Sequence, residues 1–278
     1  MPVTAEQAPK LNLDHNSRTD IKERARPFYF PAENSKIGAI LVHGFSGSPD
    51  DMVHLGKFLA SRGINAHGLL LAGHGGDFEH LANSNNSDWL QGVKQEISQI
   101  TPKYERTFLI GYSFGSNLIL DLVARFPLIA TGVVCMASSV YLRKERRIKA
   151  SSTVMSQFRP GANKRSVKRG SRAIYEAGGR HLRVPFSALH SFFEFIDSHT
   201  KRELHLVKTP ILLIHSRDDT VSNPKSSEMI FEHIGSEDKE LFIFNEFEHN
   251  PLNSANREVI FEKIIQFITT HANHLPEV

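Results

Sequence analysis

Three observations in the sequence predict an α/β fold with a mostly parallel central sheet flanked by helices. Strand-like and helix-like segments alternate from residue 28 to residue 126. A glycine-flanked serine, Gly111-Tyr112-Ser113-Phe114-Gly115, stands where an apolar run gives way to an amphipathic one. An acid and a histidine then follow that serine in chain order, each after a further strand-like run.

The elements follow in order. Residues 27–30 and 37–42 are strand candidates joined by a polar turn. Ser48-Pro49-Asp50-Asp51 has the composition of a helix start, with a hydroxyl cap, proline at the first position and acids in the first turn. Leu55, Phe58 and Leu59 give that helix a buried stripe, and Gly63 ends it. Residues 64–71 form the next strand, followed by the loop Gly73-His74-Gly75-Gly76. Ser87 is the expected cap of a helix over 88–100, where Trp89, Leu90, Val93, Ile97 and Ile100 recur at helical spacing. Residues 107–110 are a strand, 116–125 a helix closed by Pro127, and 132–137 another strand. The rhythm breaks over 139–206, which is basic and irregular, then helical from Pro185. Sheet character returns at 210–215 and 240–245, and an amphipathic helix over 255–270 closes the pattern. The predicted organisation is a tail over 1–26, a core of 27–138 and 207–278, and an inserted basic cap over 139–206.

Composition narrows the class. Hydrophobic residues at 40% and charged residues at 23% of 278 are ordinary for a globular chain. No apolar run reaches the ~18–20 residues that span a bilayer, and the polar opening segment lacks a signal-like apolar core, so a cytoplasmic location is expected. A single cysteine, Cys135, sits in an apolar run and reads as a buried, inert thiol. The net charge of +3 hides an asymmetry: residues 143–183 carry thirteen Lys or Arg against two Glu. That block reads either as a solvated surface or as a recruiter of an anionic partner, such as an acyl-coenzyme A or an anionic lipid. Few aromatics interleave it, which argues against nucleic acid. The absence of H-E-x-x-H, of a phosphate-binding glycine loop and of paired cysteines argues for no metal and no cofactor.

A serine hydroxyl becomes a nucleophile only when a base takes its proton and a third group orients that base. Ser113 is the candidate nucleophile. The acid is expected three residues after the small residue ending the 210–215 strand, which selects Asp219, with Asp218 as the alternative. His249 lies about 30 residues further on, after the next strand and before the last helix, and is the candidate base. An oxyanion hole needs two convergent N–H groups. Phe114 follows the nucleophile and supplies one. Phe45, in His43-Gly44-Phe45-Ser46-Gly47, supplies the other and lines the acyl pocket. His43 and His74 are expected to hold loops rather than move protons. Phe186, Leu189 and Phe193 of the cap are expected to bind substrate.

His43-Gly44-Phe45-Ser46-Gly47-Ser48-Pro49, Gly73-His74-Gly75, Asp88-Trp89 and the Gly111–Gly115 motif resemble the bacterial carboxylesterase and monoacylglycerol lipase branch of the α/β-hydrolases. The resemblance spans residues 38–267 and is strongest outside the cap. It implies hydrolysis of short- to medium-chain carboxylic esters or monoacylglycerols through an acyl-enzyme. Two departures stand out, Ser216 where the family often has glycine and the strongly basic cap. The cap keeps a thioesterase acting on an anionic acyl donor open, and a non-catalytic hydrolase-fold binding module is the other alternative. Oligomeric state is not set by the sequence.

Overall fold

A computed structural model of the chain describes residues 21–164, 171–245, 249–253 and 257–273. Residues 1–20 of the expected tail, Arg165, Lys168 and Arg169 of the basic block, Glu246 to Glu248 before the candidate base, and Ala255 at the expected start of the last helix lie outside them.

In chain order the elements begin with β1 (Phe28–Phe30), β2 (Ile37–Val42), α1 (Val53–Ser61), β3 (Asn65–Leu69), α2 (Phe78–Ala82) and α3 (Asn86–Ile100). The nucleophile unit is β4 (Arg106–Tyr112) and α4 (Phe114–Arg125), followed by β5 (Gly132–Met136). Next come α5 (Glu145–Met155), β6 (Gly161–Asn163), α6 (Arg172–Ala177), β7 (Arg183–Pro185), α7 (Phe186–Phe195), a π turn (Ile196–Thr200) and α8 (Lys201–Glu203). The chain then returns through β8 (Ile211–Ser216), α9 (Lys225–His233), β9 (Lys239–Phe244) and α10 (Arg257–Asn273).

Among the described residues, seven strands form one sheet in the order β1-β3-β2-β4-β5-β8-β9. Only the edge strand β1 is antiparallel; every other pairing is parallel. The central strands are buried on both faces, which is why they read as continuous apolar runs rather than alternating ones. Ile40, Val42, Leu109, Val133, Cys135, Ile211 and Leu213 face one core with α3 and α4. Ala39, Leu41, Phe108, Ile110, Val134, Met136, Leu212 and Ile214 face the other, against α1 and α10. Each such side chain stabilises the fold by about 1.5–3 kcal/mol on full burial. Because β2, β4, β5, β8 and β9 run parallel, their C-terminal ends emerge along one edge, where ligands of open α/β sheets bind.

One helix start differs from expectation. The α3 cap is Asn85, not Ser87: Asn85 Oδ1 accepts from the N–H of Ser87 and Asp88, and Asp88 accepts in return from the Asn85 N–H. The described end of the tail, from Ile21, packs on the core. Ile21 and Ala25 are buried, and the Lys22 N–H donates to the Gly75 carbonyl.

The segment 139–206 lies between β5 and β8, which are neighbours in the sheet. Its β6 and β7 pair as a two-stranded antiparallel ribbon, and α7 packs on α2, α3 and α5. No helix among the described residues is long and apolar enough to cross a membrane.

Candidate active site

The elbow after β4 is built by sterics. Ser113 takes φ 54°, ψ −119°, a strained conformation for a residue with a side chain, costing about 1–3 kcal/mol. It is tolerated because its surroundings lock it. The Ser113 N–H donates to the Met136 carbonyl at 2.7 Å, and the Ser116 N–H to the Ser113 carbonyl at 3.0 Å. Both flanking glycines are needed for close approach: a Cβ on Gly111 would stand 2.5 Å from the Ser116 nitrogen, and one on Gly115 would collide with the Val42 carbonyl.

Around this serine the structure gathers the residues the sequence singles out. Ser113 Oγ is 3.1 Å from His249 Nε2, and His249 Nδ1 is 2.7 Å from Asp219 Oδ2. Tyr112 packs against the His249 ring with centroids 5.3 Å apart. Asp219 is fully buried, whereas Asp218 is half-buried. Asp219 Oδ1 accepts from the N–H groups of Val221 (2.7 Å) and Ser222 (2.9 Å). Burial alone would raise the Asp219 pKa, but its contacts with His215 and His249, the electrostatic pull of His249 and the Val221 N–H hold it well below the carboxylate range. One of those histidines was not anticipated. His215, at the end of β8, places Nε2 3.3 Å from Asp219 Oδ2 while its Nδ1 meets Ser227 Oγ at 2.7 Å.

On the other flank, the loop carrying Phe45 is held by neutral imidazoles. His43 Nδ1 donates to the Gly44 carbonyl at 2.9 Å and Nε2 accepts from the Leu71 N–H at 3.1 Å. His74 Nε2 accepts from the Ser46 N–H at 2.9 Å, leaving Nδ1 to donate to the Ala72 carbonyl. Burial drives the His43 pKa down to about 4 and that of His74 well below its usual value, with His43 and His181 adding to the latter. Among the described residues the N–H groups of Phe45 and Phe114 have no protein acceptor. Gly44 lets the loop close in, since a Cβ there would sit 3.0 Å from Ser113 Cβ.

The aromatic wall is a cluster. The Phe45 ring contacts Trp89, Phe114 and Phe192 at centroid distances of 5.6, 6.2 and 5.0 Å. Phe192 is thus the α7 residue against the Phe45 ring. Phe193 packs on Phe192 and under the Lys149 ammonium; Phe186 is buried, and Leu189 packs on the core. Helical spacing alone could not rank these neighbours. Ser139 is a further residue without a sequence signal: its Oγ lies 2.9 Å from Ser113 Oγ.

The insertion grips both flanks of the site. Near its start, the Arg143 guanidinium donates to the Asp219 carbonyl at 2.5 Å, and the Arg143 N–H to the Val221 carbonyl. Further along, the His181 N–H donates to the Ser46 carbonyl, and Ser48 Oγ to the Gly178 carbonyl. Arg180 pairs with Asp51 at 2.6 Å and Asp50 at 3.2 Å. The basic block therefore divides into cations that fasten the insertion and cations on its surface, Lys144, Arg146, Arg147, Arg159 and Arg172 being exposed. Among the described residues, Asp121, His199 and Glu203 are close enough together to suggest a metal cluster, but the Arg125 guanidinium already bridges Asp121 and Glu203.

Comparison with known proteins shows the family. The family model of serine aminopeptidase, S33 (Hydrolase_4) matches residues 34–256. The chain is 27% identical over 248 residues to the thermostable monoacylglycerol lipase of Bacillus sp. (strain H-257), covering 89% of this chain and 96% of that one. It is 23% identical over 244 residues to a carboxylesterase of Bacillus subtilis (strain 168), covering 87% and 96%. Among solved structures, that of the metagenome-derived lipolytic enzymes LipS and LipT superposes with a TM-score of 0.77 at 26% identity, covering 90% of this chain and all of that one. A soluble variant of the Saccharomyces cerevisiae monoglyceride lipase shares the fold with a TM-score of 0.75 at 17% identity, covering 88% and 91%.

Proposed function

The chain belongs to the serine aminopeptidase S33 family, within the α/β-hydrolases, and from that premise we propose that it is a serine hydrolase cleaving carboxylic esters. Short- to medium-chain acyl esters and monoacylglycerols are its proposed substrates. The observation that carries this reading is the unbroken chain Ser113 Oγ–His249–Asp219 on a strained elbow beside two unengaged N–H groups.

His249 takes the Ser113 proton at Nε2 as Oγ attacks the ester carbonyl. The negative charge that develops on the carbonyl oxygen is met by the N–H groups of Phe45 and Phe114, preorganised and waiting for an acceptor. His249 then protonates the leaving alcohol. Water, activated by the same imidazole, attacks the acyl-enzyme and releases the acid. Asp219 keeps the imidazole in the tautomer whose Nε2 is free and stabilises its cation. The apolar wall of Phe45, Phe114 and Phe192 suits an acyl chain, with residues 139–206 acting as the cap over it. This wall favours esters over an aminopeptidase reading, because a free substrate amino group would need a carboxylate to pair with. The nearby buried acids are engaged, Asp219 by histidines and Asp51 by Arg180. A thioester acyl donor would use the same machinery, and a binding module would not need it.

The test is labelling by a fluorophosphonate followed by a p-nitrophenyl ester panel from acetate to palmitate. An adduct on Ser113 and a preference for short or medium chains are expected; no adduct at neutral pH would favour the binding module. Ser113→Ala should lower kcat by about 10⁶-fold, the scale for loss of a triad serine.

A peripheral contact with anionic lipid is supported by one further observation. Phe158 is 77% exposed and Val154 58% exposed, on the same stretch as the exposed Arg146, Arg147 and Arg159. Sedimentation with vesicles should show binding to phosphatidylserine-containing membranes that Phe158→Ser and added salt both weaken; equal binding to neutral vesicles would remove the electrostatic part.

A further inference from the structure

We propose that Ser139 is a catalytic residue, a hydrogen-bond donor to the nucleophile that stabilises negative charge on Ser113 Oγ. The inference rests on the serine-hydrolase reading and adds a group which that reading does not contain.

Proton counting fixes the direction of the contact. Asp219 is ionised and lies 2.7 Å from His249 Nδ1, so that nitrogen carries the proton and Nε2 offers a lone pair. The Ser113 hydroxyl must then spend its only proton on Nε2, at 3.1 Å. Its 2.9 Å contact with Ser139 Oγ is satisfied only if Ser139 donates. Among the described residues, Ser139 Oγ has no other hydrogen-bond partner. Ser113 Oγ keeps one lone pair for the substrate carbon.

The placement of Ser139 is built, not incidental. Ala137, just past β5, takes φ 49°, a left-handed conformation rare for a residue with a side chain. Its N–H is held by the Ile214 carbonyl at 2.8 Å. Ser139 is fully buried and clasped by one amide: its N–H donates to Asn117 Oδ1 at 3.2 Å, and Asn117 Nδ2 returns to its carbonyl at 3.4 Å. Asn117 is itself buried one turn along α4 from the nucleophile, and its Nδ2 also reaches Thr200 Oγ1 at 3.2 Å, at the end of the π turn. Backbone strain and a buried amide thus aim one hydroxyl at another.

The chemistry this serves is deacylation. In acylation the Oγ–H bond breaks towards Nε2 while the Oγ–C bond forms, and with an activated ester the good leaving group keeps this step from limiting turnover. In deacylation water bonds to the acyl carbon and gives its proton to Nε2. The C–Oγ bond then breaks, the electron pair stays on Oγ, and the proton returns from Nε2. Ser139 donates to Oγ while that pair accumulates.

The experiment is pre-steady-state kinetics with p-nitrophenyl butyrate on the full chain, for the native protein, Ser139→Ala and Ser139→Thr. Ser139→Ala should lower the steady-state rate about 10- to 100-fold, the range for a hydrogen bond to a charged oxygen. Its burst of about one p-nitrophenol per active site should persist, and fluorophosphonate labelling should slow less than kcat. Ser139→Thr, which keeps the hydroxyl, should recover most of the rate. If Ser139→Ala turns over within twofold of native, Ser139 is a bystander. Equal losses in both variants with a matching fall in Tm would assign it a packing role and overturn the proposal. Absence of hydrolysis by the native chain would instead sink the parent reading, and the two failures are thereby told apart.

Discussion

The two loops flanking Ser113 are held by opposite electrostatic means. The Phe45 loop is braced by His43 and His74, both buried and neutral, each accepting at one nitrogen and donating at the other. The Asp219 loop is braced around a full negative charge with His215, His249 and two backbone N–H groups converging on it. On the proposed mechanism the difference has a purpose. Charge on the substrate oxygen appears and vanishes beside Phe45, so fixed charge there would act on every step. The imidazolium needs a lasting counter-ion, so Asp219 must stay ionised. Asp51, whose carboxylate lies against Gly47 of the Phe45 loop, is neutralised by Arg180. The insertion holds both loops, with Arg143 on one and Arg180 and His181 on the other.

Removing the charge from the acid loop should have the largest effect. Asp219→Asn is expected to lower kcat by about 10⁴-fold, since the amide cannot hold the required tautomer, and to lower Tm as well, since the fold stabilises the ionised carboxylate. Asp218→Asn should leave turnover within a few-fold, and the reverse ranking in steady-state assays would reassign the acid.

Protonating the neutral loop comes next. His43 is held at about 4 in the folded chain and titrates near 6.5 unfolded, so between those values the unfolded state binds the extra proton. Stability therefore rises with pH from about 4 to 6.5, by up to about 3 kcal/mol for this group, and His181, also pushed down to about 4, adds in the same direction. Glu96 opposes them: burial lifts it to about 7, so its contribution falls as pH rises from about 4.5 to 7. Calorimetry across pH 4–7 should show Tm climbing, and Glu96→Gln should steepen the climb. A flat profile in that variant would mean that the imidazoles are protonated in place.

How much of this was legible in the sequence depends on how local its cause is. The sheet and the elbow are legible because buried parallel strands leave continuous apolar runs and the turn at Ser113 demands glycine on both sides. The start of α3 is misread by two residues because Asn85-Asn86-Ser87-Asp88 offers several caps, and only Asn85 has an acid at the position that completes a reciprocal pair. Within the insertion, α5 opens on a run of charged residues and α6 is only six residues long, so neither carries enough apolar repeats for periodicity to speak. Ser139 and His215 are invisible for a different reason. Ser139 meets Ser113 and Asn117 because β4 and β5 are sheet neighbours and the chain bends at Ala137. His215 meets Asp219 and Ser227 only through the fold of the turn after β8, which periodicity does not encode.

The smallest effect sharpens the comparison most, because it separates charge that is buried from charge that is merely present. Asp50 accepts from two arginines, Arg24 on the described end of the tail and Arg180 of the insertion. The Arg180 side chain is 12% exposed and also holds Asp51, so Arg180→Ala strands the largely buried Asp51 carboxylate, leaves Asp50 with Arg24 alone, and should cost about 3 kcal/mol. It should lower kcat/KM as well, by loosening the Phe45 loop through Asp51 and the Gly178–His181 contacts. Arg24 is 55% exposed, and its pair with Asp50 is screened by water, so Arg24→Ala should cost less than about 1 kcal/mol and leave turnover unchanged. Urea unfolding and ester kinetics on the two variants give both numbers. Equal penalties would show that the insertion is no more tightly keyed to the Phe45 loop than the tail is, and that its cations serve the surface alone.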